Sequence, residues 1–149
     1  MTHAFDLKNN LAGGVSFKPA AMATASSPQT GSAVDLGVAV GPISALLSGG
    51  TFTSPGTVDV KLQEAIEDPD NLGSALASDW SDITGATFTQ VSASNPHEWI
   101  LVKNATKRFV RAYITTAGGS ASLIAGVWIF AQKRNVGASA AGYSTSPQS

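Results

Sequence analysis

Hydrophobic and polar residues alternate along the middle of the chain with the period of a β-strand. The clearest example is Thr57 to Gln63, in which Val58, Val60 and Leu62 alternate with polar residues. Successive side chains of a strand point to opposite faces, so this pattern predicts a half-buried strand with the three aliphatic residues inward. No stretch of comparable length has helical spacing.

Two later segments carry apolar residues on both faces. In the first, Phe109 and Tyr113 share one face and aliphatic residues the other; in the second, Trp128 and Phe130 lie opposite an aliphatic face. A short Gly-rich loop joins the segments, which predicts a β-hairpin. A second apolar face must be shielded from water, and we expect another copy of the chain or another protein to bind over it. The candidate interface residues are Phe109, Arg111, Tyr113, Trp128 and Phe130.

The order of segments predicts an all-β fold. Roughly eight short strands are spaced as in a sandwich or jelly roll, and nothing resembles a crossover helix. We predict a single antiparallel β-sandwich over residues 31–134 and favour a jelly roll over an immunoglobulin-like topology. Residues 1–30 and 135–149 are poor in large apolar residues, which predicts extended N- and C-terminal arms. The first arm is either a flexible terminus or a segment that orders against a neighbouring subunit.

The composition of the chain limits the kinds of partner that the protein is expected to bind. The chain has 149 residues, of which 43% are apolar and 13% charged, with a formal net charge of −1 and no cysteine. The charge balance argues against nucleic-acid binding, because phosphate contacts need a basic surface. No run reaches the length of a membrane-spanning helix, and the start lacks the pattern of a signal peptide. We therefore expect no nucleic acid, no membrane and assembly in the cytoplasm.

The titratable residues form no recognisable catalytic or metal-binding pattern. His3 lies in the predicted arm and His97 at the start of a strand, and a histidine site would need companions. Residues 67–71 (EDPDN) offer the oxygens that Ca²⁺ prefers, but their spacing does not match a calcium-binding loop, and a solvated acidic loop is the better interpretation.

Hydrolytic motifs are missing as well. Asp79 and Asp82 flank Trp80, an arrangement similar to a sugar platform, but paired carboxylates must face each other across a cleft. We favour a structural role for Trp80 at the sandwich edge. The chain has neither a G-x-S-x-G elbow nor a phosphate-binding glycine loop. These observations predict a protein that is not an enzyme and has no cofactor or metal.

Several short motifs occur in the C-terminal two-thirds of the domain. A strand ends in Leu62-Gln63-Glu64 before an acidic loop, a W-x-D-I-x-G-A-x-F segment runs from Trp80 to Phe88, and K-R-F-V-R follows at Lys107 to Arg111. A final apolar strand ends in Lys133-Arg134. These motifs resemble those of small structural proteins of tailed-bacteriophage virions. The segment SAVDLG, Ser32 to Gly37, is similar to the first core strand of that group.

The resemblance implies a jelly-roll cement or decoration protein on the outside of an icosahedral phage head. Such a protein binds the major capsid protein, forms dimers or trimers, and belongs to the virion, assembled in the host cytoplasm. In that family the motif residues define the fold and none is catalytic. The Ala/Ser-rich arms depart from the pattern, so the mode of attachment is not carried over.

Two alternatives remain open at this stage. One is a structural component of the phage tail or neck. The other is a carbohydrate-binding β-sandwich module, in which Trp80 and Trp99 would have to be exposed and coplanar.

Overall fold

A computed structural model describes seven ranges of the chain: residues 11–22, 28–37, 39–50, 57–92, 96–103, 105–117 and 123–133. These ranges contain nine strands and no helix. The strands are β1 (Leu11–Met22), β2 (Gln29–Thr30), β3 (Val34–Asp35), β4 (Ala39–Gly49), β5 (Thr57–Ala65), β6 (Ser81–Thr87), β7 (His97–Val102), β8 (Phe109–Ala117) and β9 (Leu123–Lys133).

The strands form two antiparallel sheets that pack face to face. Sheet A has the order β1-β9-β4-β7, and sheet B has the order β2-β8-β5-β6, with β3 also paired to β8. The predicted all-β sandwich is therefore confirmed. The predicted alternation in β5 is confirmed too, because Val58, Val60 and Leu62 are at most 1% exposed and belong to the core between the sheets.

The predicted hairpin between the last two long strands is wrong. Strand β8 pairs with strands of sheet B, whereas β9 pairs with β1 and β4 in sheet A. The inward residues Ala112 and Ile114 of β8 and Val127 and Ile129 of β9 all belong to the core cluster. The two aliphatic rows therefore face each other across the core, with the strands in opposite sheets.

The sandwich begins earlier than the predicted boundary at residue 31. Strand β1, at Leu11–Met22, pairs with β9 from Leu11 to Met22 and forms one edge of sheet A. Few large apolar residues occur in β1, so its composition resembled that of an arm. Backbone pairing with β9 holds it in sheet A, and the buried Ser16 hydroxyl joins it to sheet B. Residues 1–10 and the predicted tail, 135–149, lie outside the described residues.

A glycine allows the close approach of β1 to β9. Gly13 has a φ of +148°, and a Cβ there would collide with the backbone carbonyl of Ile129. Gly13→Ala is therefore expected to lower the free energy of unfolding by about 2 kcal/mol. The neighbouring Gly14→Ala is the matched control, because its Cβ would meet only the Val34 methyl groups, at 4.0 Å. Equal losses for the two variants in urea denaturation would contradict this account.

Candidate interaction surface

The outer face of sheet A carries an apolar patch that reaches across all four strands. Two rows of registered residues build it. In one row Leu46 of β4 lies between Trp128 and Trp99, and Val15 lies beyond Trp128. In the next row the order across the sheet is Gly13, Phe130, Ser44 and Leu101. We call the large members of these rows the sheet A patch: Val15, Leu46, Trp99, Leu101, Trp128 and Phe130.

The edge strand β7 supplies the most exposed part of this patch. Trp99 is 60% exposed and Leu101 is 56% exposed. The Trp99 ring stacks on Phe130, with ring centroids 6.3 Å apart and an interplanar angle of 27°. Single exposed apolar residues are ordinary, but a contiguous patch of aromatic and aliphatic side chains marks an interaction site.

No charged residue occurs in the two rows of the sheet A patch; their small members are Gly13 and Ser44. Solvation of this surface therefore depends on the backbone and on serine. A partner could cover it without removing an ion from water, which is the costly step in most surface burial.

The outer face of sheet B is of the opposite kind. Lys61 pairs with Asp82 at 2.6 Å, and Gln63 Nε2 donates to the same carboxylate at 2.9 Å. The Arg111 guanidinium donates to Gln63 Oε1 at 3.1 and 2.9 Å and lies over the Trp80 ring at 4.1 Å. These polar groups find their partners within the chain, so this face does not require another protein.

The predicted interface residues separate into two groups on opposite sides of the sandwich. Trp128 and Phe130 lie in the sheet A patch, whereas Phe109, Arg111 and Tyr113 lie on the outer side of sheet B. The sequence suggested one surface because both strands carry apolar residues on two faces. The two groups cannot contribute to a single contact area.

Phe109 differs from the other members of its group. It is 2% exposed, so the chain itself covers this side chain, and the Arg108 guanidinium lies 5.3 Å from its ring centroid. Tyr113 is half-buried, with Lys61 Nζ 4.8 Å from its ring centroid. The prediction that a partner covers the second face of β8 therefore does not hold at Phe109, because the residue is already buried within the chain.

Sequence reasoning missed most of the sheet A patch. Trp99 and Leu101 are two positions apart in β7 and share a face, which the alternation of HEWILV already indicates. Val15 and Leu46 carried no such signal, because only the register places them beside Trp128.

The two tryptophans proposed for sugar binding do not form one platform. Trp99 projects from the outer face of sheet A, and Trp80 stacks with Arg111 on the outer side of sheet B. Asp79 and Asp82 also do not face each other across a cleft. Asp79 accepts from the Ile66 N–H at 2.8 Å and pairs with Lys107, whereas Asp82 pairs with Lys61.

The acidic loop uses its carboxylates for internal contacts. Glu67 Oε1 accepts from the Gly73 N–H at 2.6 Å and pairs with Arg108 at 2.6 Å. Arg108 in turn makes a bidentate contact with Asp35, both distances being 2.8 Å. Asp68 accepts from the Asp70 N–H. In the described ranges, no three His, Cys, Asp or Glu side chains are grouped so that they could hold a metal ion.

These contacts make the stability of the protein sensitive to acid. The Arg108 guanidinium lowers the pKa of Asp35, the Ile66 N–H and Lys107 lower that of Asp79, and Lys61 and Gln63 lower that of Asp82. A carboxyl group with a lower pKa in the folded state stabilises the fold while it is ionised. That contribution is lost as pH falls through the ordinary aspartate pKa of 3.8 and below.

We therefore expect the melting temperature to be constant from neutral pH to about pH 5 and to fall below about pH 4. Asp82→Asn should lower the melting temperature at neutral pH and reduce its fall in acid. The matched control is Asp70→Asn, an exposed residue of the acidic loop, which should leave the profile unchanged. An identical acid profile for the wild type and Asp82→Asn would contradict the assignment.

Comparison with known proteins gives no relative from which a function could be transferred. No protein-family model matches the chain, and no curated protein matches its sequence. The described residues include no helix of the length and hydropathy needed to cross a membrane.

Proposed function

We propose that this chain is a structural virion protein that binds the outer surface of an icosahedral phage head and stabilises the contacts between capsomers. The observation that carries the proposal is the sheet A patch, an uncharged apolar face on a sandwich whose other face is polar and internally paired. A protein with such a surface is built to assemble with other protein.

The order of the strands supports the jelly-roll part of the proposal. When β2 and β3 are counted as one interrupted strand, the eight strands form two four-stranded sheets. The first, third, sixth and eighth lie in sheet A, and the second, fourth, fifth and seventh lie in sheet B. The first strand, β1, lies beside the last, β9, and the second lies beside the next to last, β8. This nested pairing of early with late strands is the arrangement expected of a jelly roll.

The motif residues that suggested the family make structural contacts. Glu64 accepts from the backbone of Thr106 and Lys107, and Gln63 bonds to both Asp82 and Arg111. They therefore hold β5, β6, β8 and the segment that precedes β8 together. This supports a fold-defining role for the motifs, as in the cement proteins that the sequence resembles.

A cement protein stabilises the particle because it binds the assembled lattice better than the separate subunits. Heads from a phage that lacks this gene should consequently disassemble at a lower temperature than wild-type heads. Adding the purified protein should restore the wild-type temperature, with a copy number proportional to the number of capsomers.

The same particles test the alternatives. Absence of the protein from purified, tail-free heads would overturn the proposal. A small fixed number of copies per virion, located at the tail or neck, would support the tail component instead.

A further inference from the structure

We infer that the sheet A patch is covered by the sheet A patch of a second copy, so that the assembling unit is a two-fold dimer. This inference goes beyond head binding, because it concerns the purified protein and needs no phage particle. It identifies the partner that an uncharged, exposed sheet face fits best.

The charge distribution favours a second copy. A two-fold contact places each residue of a surface against the same surface of the partner. A face with charges of one sign would repel itself in such a contact, and the polar outer face of sheet B would have to break its internal pairs. The rows of the sheet A patch contain no charge. Two copies can therefore contact each other through these rows without charge repulsion and without breaking internal ion pairs.

The order of residues across the sheet also suits a two-fold contact. Leu46 lies on β4, between Trp128 of β9 and Trp99 of β7. If the two-fold axis runs parallel to β4, Leu46 meets its own copy at the axis. Trp99 of each copy then lies over Trp128 of the other, because the rotation exchanges the strands on either side of β4. The same rotation therefore forms three apolar contacts, one between the two Leu46 side chains and two between Trp99 and Trp128.

The size of the patch predicts a weak dimer. With the axis over β4, strands β7, β4 and β9 of the two copies overlap. At about 4.8 Å between strands and about six residues of about 3.3 Å each, the overlap measures roughly 14 by 20 Å. Two such faces would bury on the order of 600 Å² in total, below the roughly 1,000 Å² expected of a stable specific contact. The dimer should therefore dissociate on dilution, whereas copies held close together on a lattice would associate through their high effective concentration.

Cysteine cross-linking provides a direct test, because the chain has no cysteine of its own. Leu46→Cys places a single thiol at the proposed axis, and a mild oxidant should convert the purified protein to a disulfide-linked dimer. Thr115→Cys is the matched control, since Thr115 occupies a partly exposed, outward position on the central strand β8 of sheet B. It should remain monomeric under the same conditions.

A second variant tests the patch without a cysteine. Trp99→Asp alters a 60% exposed side chain, so the fold should be retained, and circular dichroism would confirm this. The two-fold axis brings the new charge into the contact twice. We therefore expect the dissociation constant of the dimer to rise about a hundredfold, measured by sedimentation equilibrium.

The outcomes separate this inference from the proposed function. Equal cross-linking of the two cysteine variants, or a wild-type monomer at every concentration, would overturn the dimer. A monomer that still binds and stabilises phage heads would overturn the dimer alone and would assign the patch to the capsid. A dimer that fails to bind heads would support this inference and overturn the proposed function.

Discussion

Ser16→Ala is expected to lower the free energy of unfolding by about 3 kcal/mol, although it removes a single oxygen atom. Ser16 belongs to β1 in sheet A, yet its hydroxyl is 3% exposed and contacts sheet B. It donates to the Ser32 carbonyl at 2.9 Å and accepts from the Ala112 N–H at 2.8 Å. Alanine would leave both of those backbone groups without their partner, and burial prevents water from replacing it at the Ala112 N–H.

The position of Ser16 explains why one hydroxyl has such an effect. The strand that borders β8 is interrupted between Thr30 and Val34, where Ala112 would otherwise lack a donor or acceptor opposite it. Gly31 donates to the Ala112 carbonyl at 2.8 Å, and Ser16 accepts from the Ala112 N–H. These two hydrogen bonds replace the strand pairing that β8 lacks at Ala112, and the one from Ser16 connects the two sheets at one edge of the sandwich.

Urea denaturation of Ser16→Ala measures this effect, and the exposed Ser78→Ala provides the control with the same chemical change. Gly31→Ala should also destabilise the protein, since a Cβ at Gly31 would collide with Ser16. A loss for Ser16→Ala no greater than that for Ser78→Ala would show that the hydroxyl does not connect the sheets.

Glu64→Ala is the second large expected effect, with a loss of about 3 kcal/mol. Glu64 is 8% exposed and lies near the end of β5. Its Oε2 accepts from the N–H groups of Thr106 and Lys107 at 2.6 and 3.1 Å, and its Oε1 accepts from the Thr106 hydroxyl at 3.1 Å. The carboxylate therefore holds the loop before β8 in place, and without it three donors lose their acceptor.

Glu64→Gln distinguishes the charge from the shape of the side chain. Glutamine retains one acceptor oxygen but presents an NH₂ group in place of the other, so the loss should be smaller than that for Glu64→Ala. Both variants should be compared by urea denaturation with Asp70→Ala, an exposed carboxylate of the acidic loop. A loss below about 1 kcal/mol for Glu64→Ala would contradict this role.

The strands that the sequence predicted well share a simple property. In β5 and β8 the inward positions are aliphatic and regular, so the period of two is visible without any knowledge of the partner strands. The strand predicted poorly is β1, where Gly13, Gly14 and Ser16 occupy positions that a core strand usually fills with larger side chains. Its stabilising contacts are hydrogen bonds to distant residues, which leave no local pattern.

The sequence indicated only part of the sheet A patch, for the same reason. An exposed apolar face on β9 follows from Trp128 and Phe130 alone, and the need for a cover was inferred from them. Which other residues complete the patch depends on register, because Leu46 and Val15 reach Trp128 from strands far away in the chain.

The sequence by itself determined the class of fold and the inward face of most strands, because alternation with a period of two is a local property of the chain. Tertiary structure alone decided which strands share a sheet. It placed β8 and β9 in opposite sheets, with their aliphatic rows facing each other across the core. Strand pairing depends on contacts between residues far apart in the chain, which no local pattern indicates. That choice split the predicted interface, placed Arg111 and Tyr113 on a polar face, and united Trp128 and Phe130 with Trp99 in one uncharged surface.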